Sequence, residues 1–410
     1  MRVTSLLIFT QFILVFISAF ANEGSTLASL EAQMLSSNPQ IRSLEATVKA
    51  QKATAQSQFG NFLPQISLNG GYAENKTIQE PSEGYLGYVS GRWNLYRGGE
   101  DSSLRTISNS EFQIAQLDLD VKTRALRRQL RETYYSLLAN KKNLSILDEK
   151  SDFLNKQRQM AQKKINAGLT SNVDSIEIDL EENNILNERE SIKAEIERLN
   201  KELSTLTGLN ISESSVSDRE SFDINSIEIN IETALQNNPS LKKQDQLEEI
   251  SHAKVTQQRS EFLPFLDLEA SYGRITPEYS DPLNGTESRF ALLLSWNLFS
   301  GFSSYYRHQA TNYGVSTQQF DKKNTRLEIE KDLRNLLTTR ESLAKLKIHQ
   351  QQRLMFAQKY YEMTLSEYKR GIKNSPDLQT ATVSLFEAKR RMIELERDIT
   401  IVNAKITELI

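Results

Sequence analysis

The chain has 410 residues, of which 25% are charged, and its 50 basic side chains nearly balance 53 acidic ones for a formal net charge of −3. It has no cysteine and three histidines, His252, His308 and His349, set far apart. Disulfides, thiolate nucleophiles, an N-terminal lipid anchor and cysteine-based zinc or iron–sulfur sites are excluded, and neither a metal nor a cofactor is expected. The charge balance argues against nucleic acid as a partner. A hydrophobic fraction of 38% points to an elongated chain rather than one compact globule.

Met1-Arg2 forms a short basic start, Leu6 to Ile17 is largely apolar, and Ala19-Phe20-Ala21 follows the small-x-small cleavage rule. Residues 1–21 are therefore read as a signal peptide, with an uncleaved signal anchor as the alternative. The apolar run is shorter than the ~20 residues a spanning helix needs, and no later segment is longer.

The rest of the chain is one unit written twice. Asn38-Pro39-Gln40-Ile41 returns as Asn238-Pro239-Ser240-Leu241, Phe62-Leu63-Pro64 as Phe262-Leu263-Pro264, and Tyr72 as Tyr272, all 200 positions later. Trp93-Asn94-Leu95-Tyr96-Arg97-Gly98 returns as Trp296-Asn297-Leu298-Phe299-Ser300-Gly301, at an offset of 203. Three residues are thus inserted between Tyr272 and Trp296. The later offset holds for Gly168 and Gly371 and for Asp174 and Asp377. The units are placed at 22–209 and 226–410, joined by a linker at 210–225.

Each unit begins with a polar helical stretch, 26–60 or 226–260. Residues 102–166 and 305–369 lack proline and space their apolar residues by three and four, which predicts helices of about 65 residues, roughly 100 Å each. In the last helix of the first unit, Ile178, Ile185, Ile192, Leu199 and Leu206 recur every seven residues, interleaved with Ile196 and Leu203. Leu385, Ala388, Met392, Leu395, Ile399, Val402, Ile406 and Leu409 repeat the pattern in the second. A period of 3.5 is the seam of a coiled coil.

Between the helices lie four runs with a period of two, such as Ile66, Leu68, Gly70, Tyr72 and Phe290, Leu292, Leu294, Trp296. Lipid-facing residues alternating with water-facing ones, with aromatic ends at Tyr72, Trp93, Tyr272 and Trp296, describe strands of a transmembrane barrel. Hairpins packed on a soluble core are the alternative. Four strands cannot close a barrel, and open edges in lipid leave backbone groups unsatisfied, so copies must pool their strands. Two copies would give eight strands and three would give twelve, and periodicity does not choose between them.

The doubled Asn-Pro-x-Ile/Leu, Phe-Leu-Pro and Trp-x-Leu-aromatic-x-Gly motifs, with tip glycines Gly168 and Gly371 each followed six residues later by aspartate, resemble the TolC-type outer-membrane efflux proteins. The resemblance implies a mainly α fold with a small β part: a homotrimer whose four strands per chain form a shared 12-stranded outer-membrane barrel, continued by antiparallel coiled-coil helices as a periplasmic α-barrel. It implies a porin-like exit duct for efflux or type I secretion, no enzyme activity, and as partners a periplasmic adaptor (membrane fusion) protein, an inner-membrane pump of RND, ABC or MFS type, and outer-membrane lipid. The family commonly has proline where Asn94 and Asn297 stand, and a second acidic residue where Thr380 stands.

By the same resemblance the periplasmic gate falls on Asp174, Tyr368, Lys373 and Asp377, with Lys373 paired to Asp174 and Asp377 forming an acidic ring. Helix capping is the other reading of both aspartates. Gly168 and Gly371 are the adaptor-docking tips, or simply helix ends. Arg124, Arg127, Arg128 and Arg131 share one helical face, read as a solvated surface. The competing function is a structural coiled-coil scaffold of the cell envelope.

Overall fold

The computed structural model describes residues 26–75, 82–168, 173–210, 222, 230–275 and 286–409. The residues read as a signal peptide, residues 76–81, 169–172 and 276–285, and those read as a linker apart from Asn210 and Phe222 lie outside the described residues. The first repeat runs α1 (Leu27–Ser37), α2 (Pro39–Ser57), β1 (Gln65–Asn75), β2 (Ser82–Tyr96), α3 (Glu100–Asn166) and α4 (Val173–Thr207). The second runs α5 (Ile231–Asn237), α6 (Pro239–Ser260), β3 (Phe265–Arg274), β4 (Glu287–Ser295), α7 (Ser303–Lys369) and α8 (Ser375–Leu409). Both long helices have 67 residues, and both that follow have 35. The mainly α class with duplicated strand–helix units is as expected.

Two compact units share these elements. The strand unit holds Gln40–Lys122 and Asn230–Lys331. Its sheet is antiparallel in the order β1-β2-β3-β4. Tyr72 pairs with Tyr85 and Tyr272 with Ser288, so the second partner has moved 203 positions while the first moved 200. The three extra residues therefore sit in the β3–β4 connection. Around the sheet, α3 packs on α6 through Ile107, Ile250 and Ala253, and α6 is tied to α7 by Lys322, 2.8 Å from both Asp245 and Glu248.

The helical unit holds the described parts of Met1–Pro39, Thr123–Ile229 and Asp332–Ile410. Every heptad residue of α4 named above is buried. In α8 all are buried except Met392 and Leu409, which are half-buried. The break between α1 and α2 follows from Pro39, which has no N–H to continue a helix. Asn38 turns the break into a joint, because its Nδ2 donates to the carbonyl of Leu206 at the end of α4 (2.9 Å). In the second repeat the same asparagine caps a helix: Asn238 Oδ1 accepts from Ser240 N (2.9 Å) ahead of α6, with Pro239 in the first turn.

One junction departs from ordinary backbone geometry. Gly98 and Gly99 enter α3 at φ 60° and 91°, and their repeat counterparts are Gly301 at φ 65° and Phe302, also at φ 65°. Phe302 is the one residue other than glycine at positive φ among the described residues. For an L-residue this conformation costs about 1–2 kcal/mol, and the ring is 64% exposed.

Candidate functional site

The sheet presents two chemically different faces. Register places Ile66, Leu68 and Tyr72 level with Gly91, Val89 and Tyr85, and Trp93, Ala270 and Phe290 follow on the same face. Ile66 (76% exposed), Leu68 (83%) and Phe290 (74%) leave this face apolar and largely uncovered, as a surface turned to lipid would be. The opposite face is polar and internally bonded. Ser67 and Ser90 hydroxyls lie 2.9 Å apart, Asn69 Nδ2 donates to Ser90 Oγ (2.8 Å), and Arg92 Nε donates to Glu269 Oε1 (2.8 Å). Arg289 and Tyr88 line the same concave surface.

Both tryptophans are held in the same way. Trp93 Nε1 donates to the carbonyl of Phe62 (3.0 Å), and Trp296 Nε1 to that of Phe262 (3.1 Å). The Phe-Leu-Pro motif thus supplies an acceptor to the tryptophan of the following strand in both repeats. Tyr72 stacks edge-on against Tyr85 at 5.4 Å, and Tyr272 is 65% exposed on the same face. All four expected interface aromatics lie on the apolar face or at its end. Asn94 accepts from Arg97 Nη2 (3.1 Å) beside the register shift between β2 and β3.

In the helical unit, α4 runs antiparallel to α3, tied by Lys150 to Glu181 and by Arg189 to Asp148 (2.6 Å). α8 returns along α7 in the same way, with Lys347 3.5 Å from Glu396. A single face of α3 joins the two hairpins. Glu149 pairs with Lys389 (2.6 Å), Phe153 packs on Tyr361 and Phe386 (5.2 Å each), and Gln157 Nε2 donates to Thr382 Oγ1 (2.7 Å). Met160 packs in the cluster of Tyr368, Leu378 and Leu385, and Lys164 ends the row.

The Lys164 ammonium donates to the Tyr368 carbonyl (2.7 Å) and sits 3.5 Å from the centre of its ring. Burial pulls this amine below its usual range, while the Asp174 carboxylate acts to raise it. Burial and the same carboxylate push the Tyr368 hydroxyl upward. The Asp174 carboxylate thus acts on both groups, and the cation beside the Tyr368 ring is Lys164. Lys373 lies 3.7 Å from Asp377, four residues on in its own hairpin, because it stands two residues before α8 and Asp377 lies in that helix's first turn. Asp377 also closes a reciprocal cap: its N–H donates to Asn374 Oδ1 (3.0 Å) and its Oδ2 accepts from Asn374 N (3.4 Å).

Gly168 and Gly371 stand at φ 73° and 80° with open space around them. At the second tip Gly371 N donates to Tyr368 O (3.1 Å) and Ile372 N to Glu367 O (3.0 Å), the paired bonds of a glycine-terminated helix. No sequence signal marked Lys164, whose partner is 204 positions away.

On the basic face of α3, Arg128 stays exposed beside Glu132 as its reading as a solvated surface has it, while Arg127 and Arg131 depart from that reading. Arg131 Nη1 pairs with Glu408 (2.9 Å) and its Nη2 with Glu31 (3.4 Å), and Arg127 Nε is 2.9 Å from Glu31, out of line for a hydrogen bond. These arginines join α1, α3 and α8, and their partners come from the far ends of the chain. Phe222 adds a contact from the linker, buried beside Tyr135 with Lys142 4.4 Å above its ring.

No described helix is long and apolar enough to cross a membrane. Among the described residues the sheet offers a lipid face, and together with two long antiparallel hairpins on one chain it defines an outer-membrane channel subunit built on strands and coiled coils. The outer membrane efflux protein family matches residues 30–209 and 230–410, and the chain belongs to it. It is 21% identical over 387 residues to outer membrane protein TolC of Vibrio cholerae serotype O1, covering 92% of this chain and 88% of that protein. Among solved structures, CusC superposes with a TM-score of 0.86 at 13% identity, over 96% of this chain and 95% of that one. The open-state MtrE channel of Neisseria gonorrhoeae gives 0.83 at 14%, over 93% and 88%. The chain is an outer-membrane efflux channel of Gram-negative bacteria, not an enzyme, and the envelope-scaffold reading falls with that membership.

Proposed function

We propose that the chain works as a passive homotrimeric exit duct. Three copies pool their strands into a twelve-stranded barrel in outer-membrane lipid, and an inner-membrane pump with a periplasmic adaptor supplies energy and cargo. The observation that carries this is the sheet itself: apolar outside, hydrogen-bonded and polar inside, with β1 and β4 both left as open edges. Open edges in lipid demand a partner strand, and eight strands would fill their own interior where twelve leave a lumen.

The resting gate lies at the hairpin tips, where Lys164, Asp174 and Tyr368 hold the two hairpins of each chain together. Lys373 and Asp377 act one turn away, as part of the α8 start and as the acidic ring facing the axis. Gly168 and Gly371 give the adaptor close access to backbone. Single-channel recording in planar bilayers tests the scheme, wild type beside Lys164→Glu and Lys373→Glu. The expected result is small, flickering wild-type openings that grow several-fold in Lys164→Glu and change less in Lys373→Glu. A pore with unchanged conductance in both variants removes the gate. Folded protein without current removes the duct.

A further inference from the structure

Strand register divides the polar face of the sheet into rows that cross all four strands. One row is Gln65, Arg92, Glu269 and Ala291, and the next on this face, further from the helices, is Ser67, Ser90, Ser271 and Arg289. The first row is neutral, because Arg92 and Glu269 bond each other. The second offers three hydroxyls and one guanidinium and holds no carboxylate. The other acids of this face stand elsewhere: Asp267 on the helix side of the first row, Glu287 beyond the second.

The donors of the second row are uncommitted. Arg289 is exposed and makes neither a hydrogen bond nor an ion pair among the described residues, and the same holds for the hydroxyl of Ser271 directly opposite it. Of the remaining two hydroxyl protons, one bridges Ser67 and Ser90 and the other is left over, since Asn69 Nδ2 donates to Ser90 and consumes neither. Arg289, Ser271 and Ser90 line one concavity of about 400 Å³. On this face β1 carries Gln65, Ser67, Asn69, Gly71 and Ala73, so sharing of strands between copies brings Arg289 no acid.

We propose that this row binds a small oxyanion inside the barrel, a carboxylate, sulfate or phosphate group. The planar guanidinium of Arg289 matches two oxygens of such a group, and the free hydroxyl protons of the serines meet the rest. The inference rests on the shared-barrel reading, which turns this face to the lumen, and it adds a class of solute: anions held briefly on the way out. The occupant is a soluble solute, because the face that meets lipid is the opposite one.

Inorganic phosphate is the probe, titrated calorimetrically into detergent-solubilised protein and added to the barrel side of single channels. Wild type should bind it and show interrupted current. Arg289→Gln should raise the apparent Kd about tenfold, the loss of one charge-assisted contact. Arg289→Lys, which keeps the charge and loses the fork, should recover only part of the affinity. Glu269→Gln, which releases Arg92, should tighten binding several-fold. Equal affinity in wild type and Arg289→Gln, in protein that conducts, overturns the site and spares the duct. Full recovery in Arg289→Lys overturns the built site and leaves charge attraction alone. Phosphate uptake blocked by reconstitution with lipopolysaccharide makes a lipid headgroup the occupant and overturns the luminal solute. Folded protein that binds phosphate through Arg289 without conducting keeps the site and removes the duct, and folded protein that does neither overturns both.

Discussion

Glu408 shows how a single carboxylate can report on assembly of the helical unit. Its side chain is 8% exposed, and burial pushes it above the usual carboxylate range, opposed by Arg131 and Arg127. A carboxyl raised on folding binds its proton more tightly in the folded state. Its contribution is therefore fully present below the unfolded pKa and fades as pH rises through the folded one. Glu408→Gln keeps an acceptor for Arg131 but cannot titrate. Denaturant melts from pH 4 upward should show the variant gaining on wild type across that window and then running parallel, whereas a constant gap would mean that Glu408 titrates normally.

At the scale of elements, stability concentrates in the coiled-coil seams. Leu203 on α4 is 0% exposed and Leu180 on the same helix is 62% exposed. Leu203→Ala should therefore destabilise by about 2–5 kcal/mol through lost burial and the cavity left behind, and Leu180→Ala by at most ~0.5 kcal/mol. Equal midpoints for the two variants would place the seam elsewhere. These seams, like the strands, were legible because periodicity is local: each residue states which way its own element faces. The repeat offsets were equally legible, and even located the insertion in the β3–β4 connection. The tip was legible only in part. Asp174 and Tyr368 were named there only through the family resemblance, and Lys164 has nothing beside it in sequence that predicts a ring and a carbonyl 204 residues away. Arg127 and Arg131 on α3 were misread for the same reason: acidic neighbours in sequence suggested solvent, while their partners, Glu31 and Glu408, come from α1 and α8.

For the whole molecule, the shared barrel depends on each copy's sheet, and one close approach constrains the pairing of its two middle strands. Gly273 stands at φ 135° opposite Tyr88, and a Cβ there would meet Gly87 O at 2.5 Å and Tyr88 Cα at 2.6 Å. Neither atom can yield, because both are backbone of the paired strand. Gly273→Val should leave little or no assembled channel in outer-membrane fractions, while normal assembly would show that the β2–β3 pairing can separate at this point.

The two indole hydrogen bonds have one more consequence. Trp93 and Trp296 are the only tryptophans in the chain, and each is anchored to the carbonyl that precedes its repeat's first strand. All tryptophan emission therefore originates where strand gives way to helix, while far-ultraviolet circular dichroism is dominated by the two 67-residue and two 35-residue helices. A perturbation that melts the sheet and spares the coiled coils moves the first signal and leaves the second in place. The native chain thus carries an unmodified optical label for its membrane end, read separately from the rest.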